Sequence, residues 1–401
     1  MKIAGLFTLV ILIQIISRGQ QPDTLDNLYK NTADQLLIQD QNLLIGGYGE
    51  VHLNQPLSSE KRANGMLDVH RVVMLFGYNF NKRTQFITEL EFEHVSEVYV
   101  EQAFLQYKLN PYFNLRGGLL LIPMGIINEY HEPTAFNGVE RPMIDTYIVP
   151  TTWREIGIGF SGNYLPAFLK YQFYILNGFS SYDGEARLSG SNGLRKGRQK
   201  GAESFISSPN FSAKLEYYGI RSFNFGLSAY VGKTQSTLYD DIEKQDNHAL
   251  AIADSSVVGV SMLGADVRYN YKALMVRGQF YLSGLSNTEQ YNVYTANNDS
   301  TYNDLGSSMI GYYFELAYDV LKNTNTKIQL IPFARYEYIN THSSVSNEIA
   351  KNDAYEKNII TSGLTLKLAN GAVVKSDIQF IKSAMDANYS MMFNAGFGVS
   401  F

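Results

Sequence analysis

Glu89, Glu91 and Glu93 stand at every second position of one short segment. In an extended strand such positions line a single face, so the three carboxylates project together. Like charges this close attract cations or a divalent ion unless neighbouring bases neutralise them. A short hairpin at residues 81–83 would set Arg71 near Glu93 and favour ion pairing within the wall. The same alternate spacing gathers Arg71, Arg116, Lys170, Lys214, Arg268, Arg277, Arg335, Lys367 and Lys375 onto one set of faces. Glu50, Glu216, Asp266, Glu315, Asp319, Glu337 and Asp377 share those faces with the glutamate row. Acids and bases nearly balance, so no sign of ion selectivity follows, although opposed walls would give a transverse field.

A second group lies in the long interruption at residues 123–153: Glu129, His131, Glu132, Glu140, Arg141 and Asp145. Should this segment fold into an enclosed lumen, those groups face a constriction. The six histidines (His52, His70, His94, His131, His248 and His342) are scattered along the chain. No Ser/His/Asp order, phosphate loop or metal-ligand spacing stands out. No enzyme activity, cofactor or metal is expected.

The elements that position these residues are short and alternating. Leu364, Leu366 and Leu368 oppose Thr365 and Lys367, and Ile310, Tyr312, Phe314, Leu316 and Tyr318 oppose Glu315 and Asp319. Sixteen candidate strands follow: 44–54, 67–80, 84–95, 98–109, 112–122, 154–163, 167–178, 209–219, 222–234, 258–271, 273–285, 307–320, 326–340, 357–369, 372–382 and 389–401. Short breaks such as Asn81-Lys82-Arg83 and Asn110-Pro111 contrast with long ones at 123–153 and 179–208. Short turns on one side and long loops on the other are the layout of an outer-membrane barrel. A charge facing lipid at mid-membrane costs about 2–4 kcal/mol for Arg or Lys, so the charged faces must look into a wet lumen. About sixteen strands leave that lumen wide enough for a channel. Face parity at Leu368 and Val374 calls for a three-residue loop, Ala369-Asn370-Gly371, with a bulge and a left-handed Gly371.

The N-terminus has the form of a secretory signal peptide: Met1-Lys2, an apolar run to Ile16, then Ser17 and Gly19, with cleavage expected after Gly19. Residues 20–43 read as a periplasmic lead-in and 44–401 as the barrel. No run after residue 20 is apolar for the roughly 18 residues that a spanning helix needs. The chain has no cysteine, and its formal net charge of -5 is spread out, with no basic block to suggest nucleic acid. In the last strand Phe397, Val399 and Phe401 fall on one greasy face that ends at the terminal residue. That ending resembles the C-terminal assembly signal of bacterial outer-membrane barrels, which implies the barrel assembly machinery and outer-membrane lipid as partners.

Glu101-Gln102-Ala103-Phe104, Asn114-Leu115-Arg116-Gly117-Gly118, Ile122-Pro123-Met124-Gly125 and Arg154-Glu155-Ile156-Gly157-Ile158 form a further pattern. It resembles the family of phosphate-selective porins O and P of Gram-negative bacteria, over roughly residues 46–180. The resemblance implies a sixteen-stranded homotrimeric porin whose third loop folds inward, with an arginine ladder in the phosphate-selective members. Arg116 and Arg154 match arginines of that pattern. Those members carry lysines on the constricting loop, whereas residues 126–153 hold no Lys and four acids. The expectation is an all-β transmembrane antiparallel barrel in the outer membrane of a Gram-negative bacterium. It would pass small hydrophilic solutes or ions, anions such as phosphate among them, by passive diffusion. The alternatives are a non-conducting barrel serving as a scaffold or adaptor, and an outer-membrane enzyme.

Overall fold

Alternating faces can bury their polar side only if the sheet closes, and in the computed structural model it does. Residues 32–38, 41–57, 62–296 and 301–401 are described; the expected signal peptide and the start of the lead-in lie outside them. The strands are β1 (Leu43–Pro56), β2 (Met66–Asn79), β3 (Thr84–Glu93), β4 (Glu97–Asn110), β5 (Phe113–Leu121) and β6 (Arg154–Tyr164). Next come β7 (Leu169–Leu176), β8 (Asn210–Ile220), β9 (Phe223–Lys233), β10 (Gly259–Tyr271) and β11 (Leu274–Ser286). The last five are β12 (Ser308–Tyr318), β13 (Gln329–Ser344), β14 (Glu356–Ala369), β15 (Ala372–Ser383) and β16 (Ser390–Ser400). Each pairs antiparallel with the next, and β1 pairs with β16 to close the barrel. The seam extends to the last residue, where Gly47 and Phe401 exchange backbone hydrogen bonds of 3.0 and 2.9 Å.

The outside is apolar. Leu263, Phe314, Leu282, Ile158 and Leu364 are exposed, as are Phe397, Val399 and Phe401. The charged faces turn inward: Arg71, Glu89, Glu91, Lys214, Asp266, Arg268, Glu315, Arg335, Glu337, Lys375 and Asp377 are all buried. An apolar girdle around a charged interior is the surface a bilayer solvates, and the fold is a transmembrane β-barrel. Among the described residues no helix is long and apolar enough to cross a membrane.

The expected strands agree with the observed ones to within a few residues, except at β13. It starts three residues later, at Gln329, and runs to Ser344, where Asn340, Thr341 and His342 are buried. At the last periplasmic hairpin Gly371 is left-handed (φ +84°). Ala369 pairs with Ala372, so the turn is the two residues Asn370-Gly371 and not the expected three, and the register slips between Lys367 and Ala369. This slip is the bulge required to keep Leu368 outside and Lys367 inside.

The long loops carry structure of their own. Ser180–Tyr182 and Gln235–Ser236 pair in a small parallel ladder. Short helices α1 (Ile144–Tyr147), α2 (Asn247–Ser255) and α3 (Thr288–Tyr294) lie on the same side. Trp153, Phe179, Leu188, Leu194, Tyr230, Tyr291 and Leu305 build an apolar core beneath these loops. Trp153 stacks on Phe179 at 4.4 Å. At the opposite mouth the helical turn Thr32–Leu36 tucks Leu36 and Leu37 inside, and Gln85 donates to the Leu37 carbonyl at 2.9 Å.

Candidate functional site: the inward loop and the luminal wall

The loop after β5 turns into the bore at a glycine. Gly125 is left-handed (φ +67°), and a Cβ there would lie 1.4 Å from the Tyr281 hydroxyl oxygen, so only glycine fits. Asn128 then ties the two ends of the loop together. Its amide donates to the carbonyls of Ile122 (2.7 Å) and Trp153 (3.0 Å), and its oxygen accepts from the Trp153 N–H (2.8 Å).

From there the loop reaches wall after wall. Glu129 is held by Lys214 and by Gln172 at 2.5 Å. His131 Nε2 meets the Tyr48 hydroxyl, and the His131 carbonyl accepts from Arg71 at 2.5 Å. Arg277 donates to the Ala135 carbonyl at 2.6 Å, and the Lys375 ammonium sits 3.8 Å from the Phe136 ring centroid. Asn137 donates to Glu315 at 2.9 Å, the Val139 N–H to Asp377 at 2.7 Å, and the Met143 N–H to Glu337 at 2.7 Å. Asn54 donates to Glu140 at 2.8 Å, Arg141 lies 3.5 Å from Glu50, and Gln279 donates to Asp145 at 3.0 Å. Those bonds that involve an ionised group are worth about 1.5–3 kcal/mol each in a buried setting. Arg335 braces the same stretch, bonding Glu337 at 2.7 Å and the Glu140 carbonyl at 3.2 Å.

All of the sequence-selected loop residues therefore lie inside the barrel, with Glu132 buried toward the periplasmic side. The wall residues sort by height. Arg116 and Lys170 line a cavity of about 330 Å³ on the periplasmic side. Arg277 and Lys367 line another of about 640 Å³, together with Tyr130, Glu132 and Thr134 from one face of the loop. Glu50, Arg71, Glu91 and Glu93 line an extracellular vestibule of about 290 Å³ with Val139, Glu140 and Arg141 from the loop's other face. Arg154, Arg195, Arg198 and Lys200 line the same vestibule, with Arg154 and Lys200 over the Tyr99 ring. The glutamate row is mostly neutralised within the wall. Arg71 pairs in register with Glu93, but its guanidinium bonds Glu50 at 2.6 Å and approaches Glu91 at 3.7 Å. Lys214, Glu216, Asp266 and Arg268 form a second ionic knot against Glu129.

Three groups escaped the sequence reading. Glu101 is fully buried and joins Tyr48, Glu89 and His131, because a bulge at Glu89/Leu90 lets Glu101 and Gln102 both face inward. Tyr48 carried no chemical signal in the sequence. Three of the six histidines gather in space: His52 stacks on His70 (4.6 Å), and His70 meets His94 edge-on (5.5 Å). The motif Glu101-Gln102 was visible, but its inward direction depends on the bulge.

No family model matches the chain. An uncharacterized protein of Aquifex aeolicus (strain VF5) is 31% identical over 345 residues, covering 83% of this chain and 74% of its own length. The chain belongs to the family of that Aquifex aeolicus protein. Among solved structures, the barrel resembles the anion-selective porin of Comamonas acidovorans (TM-score 0.56, 10% identity, 90% of this chain and 99% of that one). It also resembles the outer membrane channel DcaP of Acinetobacter baumannii (0.56, 9%, 90% and 97%) and OmpF of Salmonella typhi (0.55, 12%, 90% and 98%). At these identities the likeness is one of fold. The resemblance to phosphate-selective porins O and P rests on its motifs alone. Two of its glycines have structural reasons: Gly125 above, and Gly118 (φ +135°), where a Cβ would sit 2.2 Å from the Ala103 carbonyl oxygen.

Proposed function

We propose that this protein is a passive diffusion channel for small hydrophilic solutes or ions in the outer membrane of a Gram-negative bacterium. Its inward loop sets the size limit. The observation that carries this reading is the pair of spaces, each lined by charged side chains, on the two faces of residues 126–145. Solutes cross between them in water held by the charged wall, and the loop's anchors fix the width. The basic residues of the vestibule, Arg154, Arg195, Arg198 and Lys200, would draw anions such as phosphate, while its acids draw their counterions. No step requires a cofactor or an energy source. The reading includes export by the signal peptide at residues 1–19, insertion by the barrel assembly machinery through the Phe401 terminus, and a homotrimeric assembly.

Single-channel recording on purified protein in planar bilayers tests the reading. Stable open steps are expected, with larger conductance after deletion within Pro133–Asp145. Silence of the intact protein would overturn it, and unchanged conductance on deletion would remove the loop from its role. One observation favours a second reading, a non-conducting scaffold barrel: the apolar core around Trp153, Phe179 and Tyr291 fills part of the extracellular half. Silence in bilayers, with retention of folded barrel, is its expected result.

A further inference from the structure

The first strand pair carries a bulge near the extracellular end. Glu50 pairs with Arg71 and His52 with Asp68, so Val69 and His70 together face Val51. Strict alternation would send His70 to the side opposite Arg71. The extra residue turns it to the same vestibule instead. His94 arrives from the turn between β3 and β4, whose His94 (φ 50°) and Val95 (φ 68°) are both left-handed. A β-branched residue adopts that conformation only under strain, and strain of this kind gathers at functional positions.

The result is a small cluster of donors. His94 Nδ1 lies 2.6 Å from Asp68 Oδ2, and His70 Nδ1 lies 3.5 Å from the same oxygen. The three donor atoms all fall within 4.8 Å of one another. Four-coordinate zinc, with bonds of about 2.0–2.1 Å, separates its donors by about 3.3 Å, so small side-chain rotations suffice. We propose that Asp68, His70 and His94 bind a divalent transition-metal ion of the zinc class at the extracellular rim of the barrel. Two imidazoles select such an ion over calcium or magnesium, which take oxygen ligands. Water supplies the remaining position, because the cluster borders the vestibule and its side chains stay partly exposed. His52 supports the site from outside the coordination sphere. Its ring lies flat on His70 (11° between planes), while its nitrogens engage Glu50 at 3.2 Å and Glu140 at 3.4 Å. Glu93 and Glu97 add negative potential on the same wall. The bound ion would clip β2 to the β3–β4 turn, and it stands independently of the diffusion reading.

Calorimetric titration of the full-length protein in detergent with Zn²⁺ tests the site, with Co²⁺ absorption reporting coordination number. One ion per chain, reversed by chelator, and a visible four-coordinate cobalt spectrum are expected. His70→Gln with His94→Gln should weaken binding roughly 100-fold, at least the upper end of what loss of a supporting group costs a metal site. Asp68→Asn and His94→Gln alone keep the test decisive if the double variant misfolds. His248→Gln, an exposed position in the first turn of α2, should bind as the parent does. Absent saturable binding, or binding untouched by the Asp68 and His94 substitutions, overturns the proposal.

Discussion

His131 Nε2 lies 2.8 Å from the Tyr48 hydroxyl, joining the inward loop to the first strand across 83 residues of sequence. The same hydroxyl lies 2.6 Å from Glu89 and 2.9 Å from Glu101, and Arg71 covers the Tyr48 ring at 4.9 Å. Burial alone would lower the His131 imidazole, but Glu101 and Glu89 outweigh it and raise the group to about 10. A histidine so raised contributes stability fully below its unfolded value near 6.5, and that contribution fades as pH climbs through about 10. The imidazolium therefore locks the loop at neutral pH.

Replacing His131 by Gln leaves two buried carboxylates without their cation, a loss of about 3–5 kcal/mol for a broken buried pair. Unfolding in denaturant should show it, and bilayer currents should become larger and noisier. Adding Glu101→Gln should recover most of the stability. A double variant no better than His131→Gln alone would refute the pairing.

Asp145 has the opposite pH behaviour. Burial raises its carboxyl to about 8 against the hydrogen bond from Gln279. The folded protein then holds a proton that the unfolded chain releases near pH 4, so stability falls as pH climbs from about 4 to about 8. Asp145→Asn removes that dependence. Its denaturation midpoint should exceed the parent's at about pH 9 and match it near pH 4; equal midpoints at both would contradict the assignment.

Gly125→Ala places a methyl group against the Tyr281 hydroxyl and forces alanine into a left-handed conformation. Strain of about 1–3 kcal/mol is expected, relieved by unseating the loop. Limited proteolysis should cut the variant within 126–145 while the parent resists. Identical digestion patterns would show that the loop tolerates the change.

Phe314 projects outward, half exposed, and its neighbour Glu315 is buried inside. Phe314→Arg should cost about 2–4 kcal/mol in lipid vesicles and little in detergent, where the outer surface relaxes. Folding yield in vesicles measures it. An unchanged yield would mean that Phe314 does not meet hydrocarbon.

Much of this architecture was legible in the chain itself. Alternation is a local property, so Glu315 against Phe314, or Lys367 against Leu368, reveals its face without any knowledge of distant residues. Closure follows from the same pattern, since charged faces on every wall can be hidden from lipid only inside a cylinder. The loop at 123–153 was visible as the longest early interruption, and its charged residues as candidates for the bore.

What alternation cannot show is where it shifts phase. One extra residue at Val69-His70 and another at Glu101-Gln102 invert the local reading, and each sits where the chemistry gathers. The partners of the inward loop are equally nonlocal: Asn137 finds Glu315 and Val139 finds Asp377 only after β1 has met β16. Sequence determined which residues face water, because that depends on neighbours two positions away. Only the closed barrel decided which of them meet, because three histidines and a carboxylate from separate hairpins share no spacing until register and bulges align them.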